Sequence, residues 1–178
     1  VVTNGKGVDT IMNTLGQDYT YFMQENPTGL PDAMSIPNPK NPFLLHLGDQ
    51  FYQDSLVDFV KDFNPDKYEA QVWLKHSDRV AYHNTAIVKE DHIRKFVEKP
   101  KNLPKGDVAT GIYMFKPSSF EHINSLPRHD KGENNLADLL NKYVSKNMWS
   151  VQFQNMQGYW YDVGTPEQRN NAIKEYMR

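Results

Sequence analysis

Pro42-Phe43-Leu44-Leu45-His46-Leu47-Gly48-Asp49 is a short, almost wholly apolar run opened by proline and closed by glycine. That pattern predicts a parallel strand buried on both faces. Beyond it, Leu56-Val57-Asp58-Phe59-Val60-Lys61-Asp62 spaces its apolar residues three and four apart behind Asp54-Ser55, a plausible cap, and so reads as a helix. Ala70-Gln71-Val72-Trp73-Leu74 then reads as a second strand. Strand, helix, strand is a crossover unit, which implies an α/β fold with a largely parallel sheet.

Working outward, Tyr19-Thr20-Tyr21-Phe22-Met23 is another β-rich run, and the opening Val1-Val2-Thr3 is strand-like ahead of a Gly-Lys-Gly turn. Downstream, Asn84-Thr85-Ala86-Ile87-Val88 and His92-Ile93-Arg94-Lys95-Phe96-Val97 flank the polar turn Lys89-Glu90-Asp91. This is a β-hairpin set into the α/β alternation. Residues 108–115 give a further strand, and residues 118–126, 136–146 and 166–177 read as amphipathic helices, with N-terminal signals at Ser118 and at Thr165-Pro166. The expectation is a single domain over residues 1–178 with a mixed sheet.

The chain has 178 residues, enough for one sizeable core, with 20 Lys plus Arg against 22 Asp plus Glu for a net charge of −2. Such a balance supplies no bulk positive field for a nucleic-acid backbone or an anionic membrane. Cysteine is absent, which excludes disulfide scaffolds, thiolate zinc sites and cysteine nucleophiles. No apolar run reaches the roughly 18 residues of a membrane span and the opening residues lack signal-peptide character, so a cytoplasmic protein is expected. The six histidines make no zinc-protease or finger spacing, and His46 is expected to be a satisfied, core-facing residue. There is no G-x-S-x-G elbow, and Gly5-Lys6-Gly7 is too short for a P-loop.

In an open α/β sheet ligands bind at the carboxyl ends of the strands, so Asp49 is expected to look into a site. Its carboxylate is a hard ligand suited to Mg2+, and Gly48 allows a phosphate close to the backbone; the same residues also suit an ordinary turn. Gln24 ends a strand and offers a donor and an acceptor in one plane, as reading a pyrimidine edge requires; otherwise it is a solvated turn residue. Glu98-Lys99-Pro100 sets an acid beside an ammonium where proline stops a ladder. One could bind sugar hydroxyls and the other a phosphate, but only if the backbone breaks there, because neighbours on a strand face opposite ways. Gly158-Tyr159-Trp160-Tyr161-Asp162-Val163-Gly164-Thr165-Pro166 carries a second candidate metal carboxylate, Asp162, on an aromatic strand entering a helix. The spacing of Asp49 and Asp162 does not itself pair them.

Taken in order, Gln24-Glu25-Asn26-Pro27-Thr28-Gly29-Leu30-Pro31-Asp32-Ala33, Leu47-Gly48-Asp49, Phe96-Val97-Glu98-Lys99-Pro100, Thr110-Gly111-Ile112-Tyr113, Gly132-Glu133 and Trp160-Tyr161-Asp162-Val163-Gly164-Thr165 resemble the sugar-1-phosphate nucleotidyltransferases, nearest in type to the glucose-1-phosphate thymidylyltransferases. The specificity lies in the series and covers the chain from about Gln24 onward. The resemblance implies a nucleotide-diphospho-sugar transferase fold, a Rossmann-like mixed sheet with an inserted hairpin, and the reaction of an NTP with a sugar 1-phosphate to give an NDP-sugar and pyrophosphate. It implies dTTP or UTP with glucose 1-phosphate as substrates and Mg2+ held by Asp49 and Asp162. It also implies Gln24 and Gly29 at the base, Glu98 at sugar hydroxyls, Lys99 at the sugar phosphate, and Tyr82, Gly111 and Tyr113 along the sugar pocket. A homo-oligomer is compatible with it.

Two departures stand out. His83 follows Tyr82 where the family carries glycine, which leaves the sugar open. The family's opening strand and G-x-G-T-R-L loop have no counterpart, and Val1-Val2-Thr3-Asn4-Gly5 resembles the strand after that first βαβ unit. A unit of at least roughly 30 residues is thus expected to be missing, and the isolated chain to be inactive in the full reaction. The alternative reading is a non-catalytic nucleotide-sugar-binding or assembly subunit.

Overall fold

The computed structural model describes residues 1–147 and 149–176. In chain order its elements are β1 (Val2–Thr3), α1 (Val8–Leu15), β2 (Phe22–Met23), α2 (Leu30–Ser35), β3 (Phe43–His46), β4 (Gln50–Tyr52), α3 (Leu56–Lys61) and β5 (Ala70–Ser77). They continue with β6 (Asn84–Lys89), β7 (His92–Glu98), β8 (Gly106–Phe115), α4 (Phe120–Ile123), α5 (Leu136–Lys146), β9 (Val151–Asn155), β10 (Trp160–Asp162) and α6 (Pro166–Tyr176).

Local signals account for most of these elements. Ser55 caps α3 by accepting from Asp58 N, and Asn135 caps α5 by accepting from Asp138 N. Thr165 Oγ1 accepts from Gln168 N at the start of α6, whose expected last residue, Met177, lies outside the described residues. The hairpin turns at Glu90 and Asp91, both left-handed with φ of 52° and 57°. The helix expected over residues 118–126 is shorter: a 3-10 turn at Pro117–Ser119 leads into the single turn of α4. Ser118 turns its hydroxyl to Glu69 instead of to a cap. The strand expected at residues 19–23 shrinks to Phe22–Met23, because β1, its parallel partner, is only two residues long.

The main sheet corrects the expectation of largely parallel strands. The crossover β3-α3-β5 exists, but β3 and β5 do not touch; β8 runs between them, antiparallel to both. The order is β7-β6-β8-β5-β9 with β3 also on β8, and β5 with β9 is the parallel pair of this sheet among the described residues. The strand expected to be buried, β3, is half-buried to exposed, since its described ladder is to β8 alone. His46 is correspondingly exposed, its Nε2 3.1 Å from the Tyr52 hydroxyl, not a core residue. Sequence order cannot reveal such an insertion, because the returning strand comes from about 60 residues downstream.

Helices cover both faces. Val72, Leu74, Tyr113 and Phe115 face Leu136, Leu139, Leu140 and Tyr143 of α5, while Trp73, Ile112 and Met114 face Phe59 and Phe63 on the α3 side. The period-two alternation along β5 and β8 thus feeds two cores from one sheet. β8 bulges between the partners of Val72 (Tyr113) and Leu74 (Ala109), where Gly111 sits at φ 81°. A bulge at a left-handed glycine bends the strand and re-aims the side chains beyond it. Separately, β4 and β10 form a short antiparallel ribbon. Among the described residues no helix is long and apolar enough to cross a membrane.

Candidate active site

The ribbon brings the two carboxylates together. Gln50 pairs with Asp162 across β4 and β10, and Val163 N donates to Asp49 O at 2.8 Å, so residues 113 positions apart in the chain become neighbours. A Cβ placed on Gly164 would lie 3.2 Å from Asp49 Oδ2 and 3.3 Å from Asp162 Oδ1. Both carboxylates therefore border one small space, which the absence of a side chain at residue 164 keeps open.

Each is oriented by neighbours. Gln50 Nε2 donates to Asp49 Oδ1 at 2.6 Å, and Trp160 Nε1 donates to Gln50 Oε1 at 2.8 Å, so an indole on β10 fixes the amide that fixes Asp49. Gly111 makes room for that amide: a Cβ there would stand 3.0 Å from Gln50 Cδ. Gly164 N donates to Asp162 Oδ1 at 3.1 Å. His83 Nδ1 lies 3.6 Å from Asp162 Oδ2, with its ring edge-on to Trp160. Burial holds the His83 imidazole below its ordinary value against the opposing pull of the Asp162 charge, so a neutral ring sits here at neutral pH.

The loop entering β10 is clamped from both sides. The Asp54 carboxylate accepts from Gln157 N at 2.7 Å and Gly158 N at 2.6 Å. Lys75 Nζ spends its three protons on the carbonyls of Met156, Gln157 and Gly158 at 3.3, 3.1 and 2.6 Å. With its donors committed to the loop, Lys75 has none left for a ligand, so the clamp serves to aim Trp160 and Asp162.

Asp49 and Asp162 open onto a cavity of about 260 Å³ that also takes in Gly29, Tyr82, Glu98, Gly111 and Tyr113. Burial, helped by the Glu98 charge, pushes the Tyr113 phenol far up, so it stays a protonated donor. Glu98 and Lys99 are turned toward each other by a backbone break: Lys99 adopts φ 45° before Pro100, and its Nζ comes 3.5 Å from Glu98 Oε1. Lys99 itself stays outside the cavity wall, with 62% of its side chain exposed. Gln24 also stands outside it, lining a neighbouring hollow of about 550 Å³, and donates through Nε2 to Gly29 O at 3.2 Å.

Gly29 lies in a strap, residues 28–32, that borders both spaces. Its φ of 113° with ψ 168° belongs to glycine alone, and a Cβ would lie 2.1 Å from Asn134 O. Arg128 binds the strap from outside, donating to Thr28 O at 3.1 Å and to Asp32 Oδ2 at 2.6 Å. Sequence reasoning missed Gln50, Asn84, Glu133 and Asn134 as cavity residues and treated His83 only as a departure. Glu133 carried a signal, the Gly132-Glu133 pair; Asn84 and Asn134 carried none, being polar residues in a strand and a loop.

Among the described residues no three His, Asp or Glu gather as a ready-made metal cage. Two converging carboxylates suit a hard divalent cation nonetheless, because Mg2+ is commonly held by one or two carboxylates, with waters and substrate phosphates completing its shell.

The chain is similar to known proteins over most of its length. The chain is 28% identical over 177 residues to the low-salt glycan biosynthesis nucleotidyltransferase Agl11 of Haloferax volcanii, covering 94% of this chain and 49% of that protein. It is 28% identical over 155 residues to a glucose-1-phosphate thymidylyltransferase of Streptomyces antibioticus, covering 84% and 43% respectively. The chain thus spans about half the length of these curated relatives. A Bacillus anthracis structure assigned as a glucose-1-phosphate thymidylyltransferase, in complex with sucrose, superposes with a TM-score of 0.83 at 25% identity, over 97% of this chain and 74% of that one. The profile described as nucleotidyl transferase matches residues 10–178, and on that match over nearly its whole length the chain belongs to the nucleotidyl transferase family.

Proposed function

We propose that the cavity at Asp49 and Asp162 is the nucleotide-sugar site of a sugar-1-phosphate nucleotidyltransferase, joining an NTP, dTTP or UTP, to glucose 1-phosphate with release of pyrophosphate. The observation that carries this reading is the pair of carboxylates bordering one space in a cavity that Glu98 and Glu133 also line. Carboxylates only accept, so Glu98 and Glu133 select hydroxyl donors, as a sugar offers. Asp49 and Asp162 together suit a cation with phosphates.

In the reaction an oxygen of the sugar phosphate attacks the nucleotide α-phosphorus and the bond to pyrophosphate breaks. Asp49 and Asp162 would hold Mg2+, which when bound offsets negative charge on the phosphates. Gln50, Trp160 and Gly164 hold those carboxylates in place before substrate arrives. Gly29 receives the base and Tyr82, Gly111 and Tyr113 the sugar; Gln24 at the base and Lys99 at the sugar phosphate stand outside the cavity and serve the parts of the ligand that extend beyond it. The chain's work is mainly positioning, which lowers the barrier by fixing the in-line approach.

The test is calorimetric binding of dTDP-glucose and UDP-glucose in Mg2+, followed by a pyrophosphate-release assay with the matching NTP and glucose 1-phosphate. Saturable binding that Glu98→Ala weakens by roughly tenfold or more supports the site. Binding of neither nucleotide sugar overturns it. Binding without pyrophosphate release by the chain in its full natural length would transfer the site to a binding subunit.

A further inference from the structure

Asn84 stands at the start of β6, opposite Glu98 in the β6–β7 ladder and on the cavity wall. Its Nδ2 and Oδ1 are both inaccessible to solvent and neither has a hydrogen-bond partner. Other buried carboxamides of the described chain are better served. Gln71 bonds Phe59 O, Asn134 bonds Asp32 and Gln152 bonds Asp62 O, each through its amide nitrogen while its oxygen stays unpartnered, and Asn141 brackets Phe96 with both ends; Asn84 differs in having neither end bonded. A carboxamide stripped of water with donor and acceptor both idle is a costly arrangement, and such groups in folded proteins call for an explanation in an absent ligand or water.

The chemistry of the wall says what that ligand group is. Glu98 only accepts hydrogen bonds, so a hydroxyl meeting it donates its proton there. The oxygen of the same hydroxyl is left with lone pairs facing inward, and an amide N–H is the complement they need. Asn84 is the amide in register with Glu98. Resting on the nucleotide-sugar reading above, we propose that Asn84 is a specificity-determining residue: on binding, its side chain turns to present the carboxamide to the cavity, where it pairs one hydroxyl of the sugar, and a sugar lacking that hydroxyl is rejected. Until then the amide stays unpaired.

Calorimetry with dTDP-glucose or UDP-glucose and its 2-, 3-, 4- and 6-deoxy analogues, on the parent and on Asn84→Leu, tests the assignment. In the parent one analogue is expected to bind weaker by roughly tenfold or more, and in Asn84→Leu that ratio is expected to fall to about one. Thermal unfolding of the free proteins supplies a second reading. Leucine removes an unpaired buried amide of similar size, so the melting temperature of Asn84→Leu is expected to equal or exceed that of the parent. A deoxy ratio unchanged by the substitution would mean that water serves the amide, and would overturn the role of Asn84 while leaving the nucleotide-sugar site standing. A marked fall in melting temperature would overturn it too, by making the amide structural. Failure of the parent to bind either nucleotide sugar would overturn both.

Discussion

In the interior of the main sheet Gln71 Nε2 donates to Phe59 O at 2.6 Å, so that one end of its amide is bonded and one is not, and the surrounding side chains are almost fully buried. At the cavity edge of the same molecule Asn84 leaves both amide atoms idle, and Gly29 and Gly111 hold backbone angles that demand glycine. The contrast teaches how labour is divided. The sheet and its two helix layers supply stability, part of which holds Asn84, Gly29 and Gly111 in costly arrangements at the cavity.

The comparison breaks most visibly if the scaffold is weakened. Phe96 is 1% exposed, and its backbone is bracketed by Asn141 at 2.7 and 2.9 Å. Phe96→Ala is expected to cost about 3–5 kcal/mol in urea denaturation, since a buried ring leaves a cavity that the sheet cannot close. A loss below about 1 kcal/mol would mean that the sheet is not the stabilising half. Next in size is the strap. Gly29→Ala sets a Cβ against Asn134 O in a conformation only glycine adopts, and is expected to cost roughly 1–3 kcal/mol together with nucleotide-sugar affinity. Unchanged stability and affinity would show the strap to be slack.

The smallest effect concerns Asp32. Burial pushes its carboxyl up, but hydrogen bonds from Arg128, Thr28 and Asn134 and the Arg128 charge outweigh that, and the net value lies below the usual carboxylate range. A carboxyl depressed in the folded state contributes stability above its unfolded value and loses it as pH falls through the folded one. The stability difference between the parent and Asp32→Asn is therefore expected to shrink below about pH 4. It should stay within about 1 kcal/mol, because 43% of the Arg128 side chain is exposed. A difference flat from about pH 6 to pH 2 would detach Asp32 from the strap's stability.

The legible features were those whose causes are local. Ser55 before α3 and Thr165 before α6 act through bonds three residues away, and the hairpin declares itself by alternation. The Glu98-Lys99-Pro100 reading required a broken strand, and the break is there at Lys99. Partner choice was illegible. Nothing in β8's own residues says that it slips between β3 and β5, and the error over His46 comes from the same blindness. The register that faces Asp49 with Asp162 is likewise a property of two distant strands, so their association came from resemblance alone until the ribbon supplied its geometry. Asn84 was beyond reach, because an unpaired amide is defined by what fails to surround it.

The central claim is that Asp49 and Asp162 act together on one cation beside a nucleotide sugar. The direct measurement is the affinity of dTDP-glucose or UDP-glucose in Mg2+ and in chelator for the parent, Asp49→Asn and Asp162→Asn, with thermal unfolding as the control for folding. The parent is expected to bind more tightly in Mg2+, and each substitution, which keeps the shape and removes a charge, is expected to erase that gain while the melting temperature holds. A metal-dependent gain that survives in both variants would contradict the account.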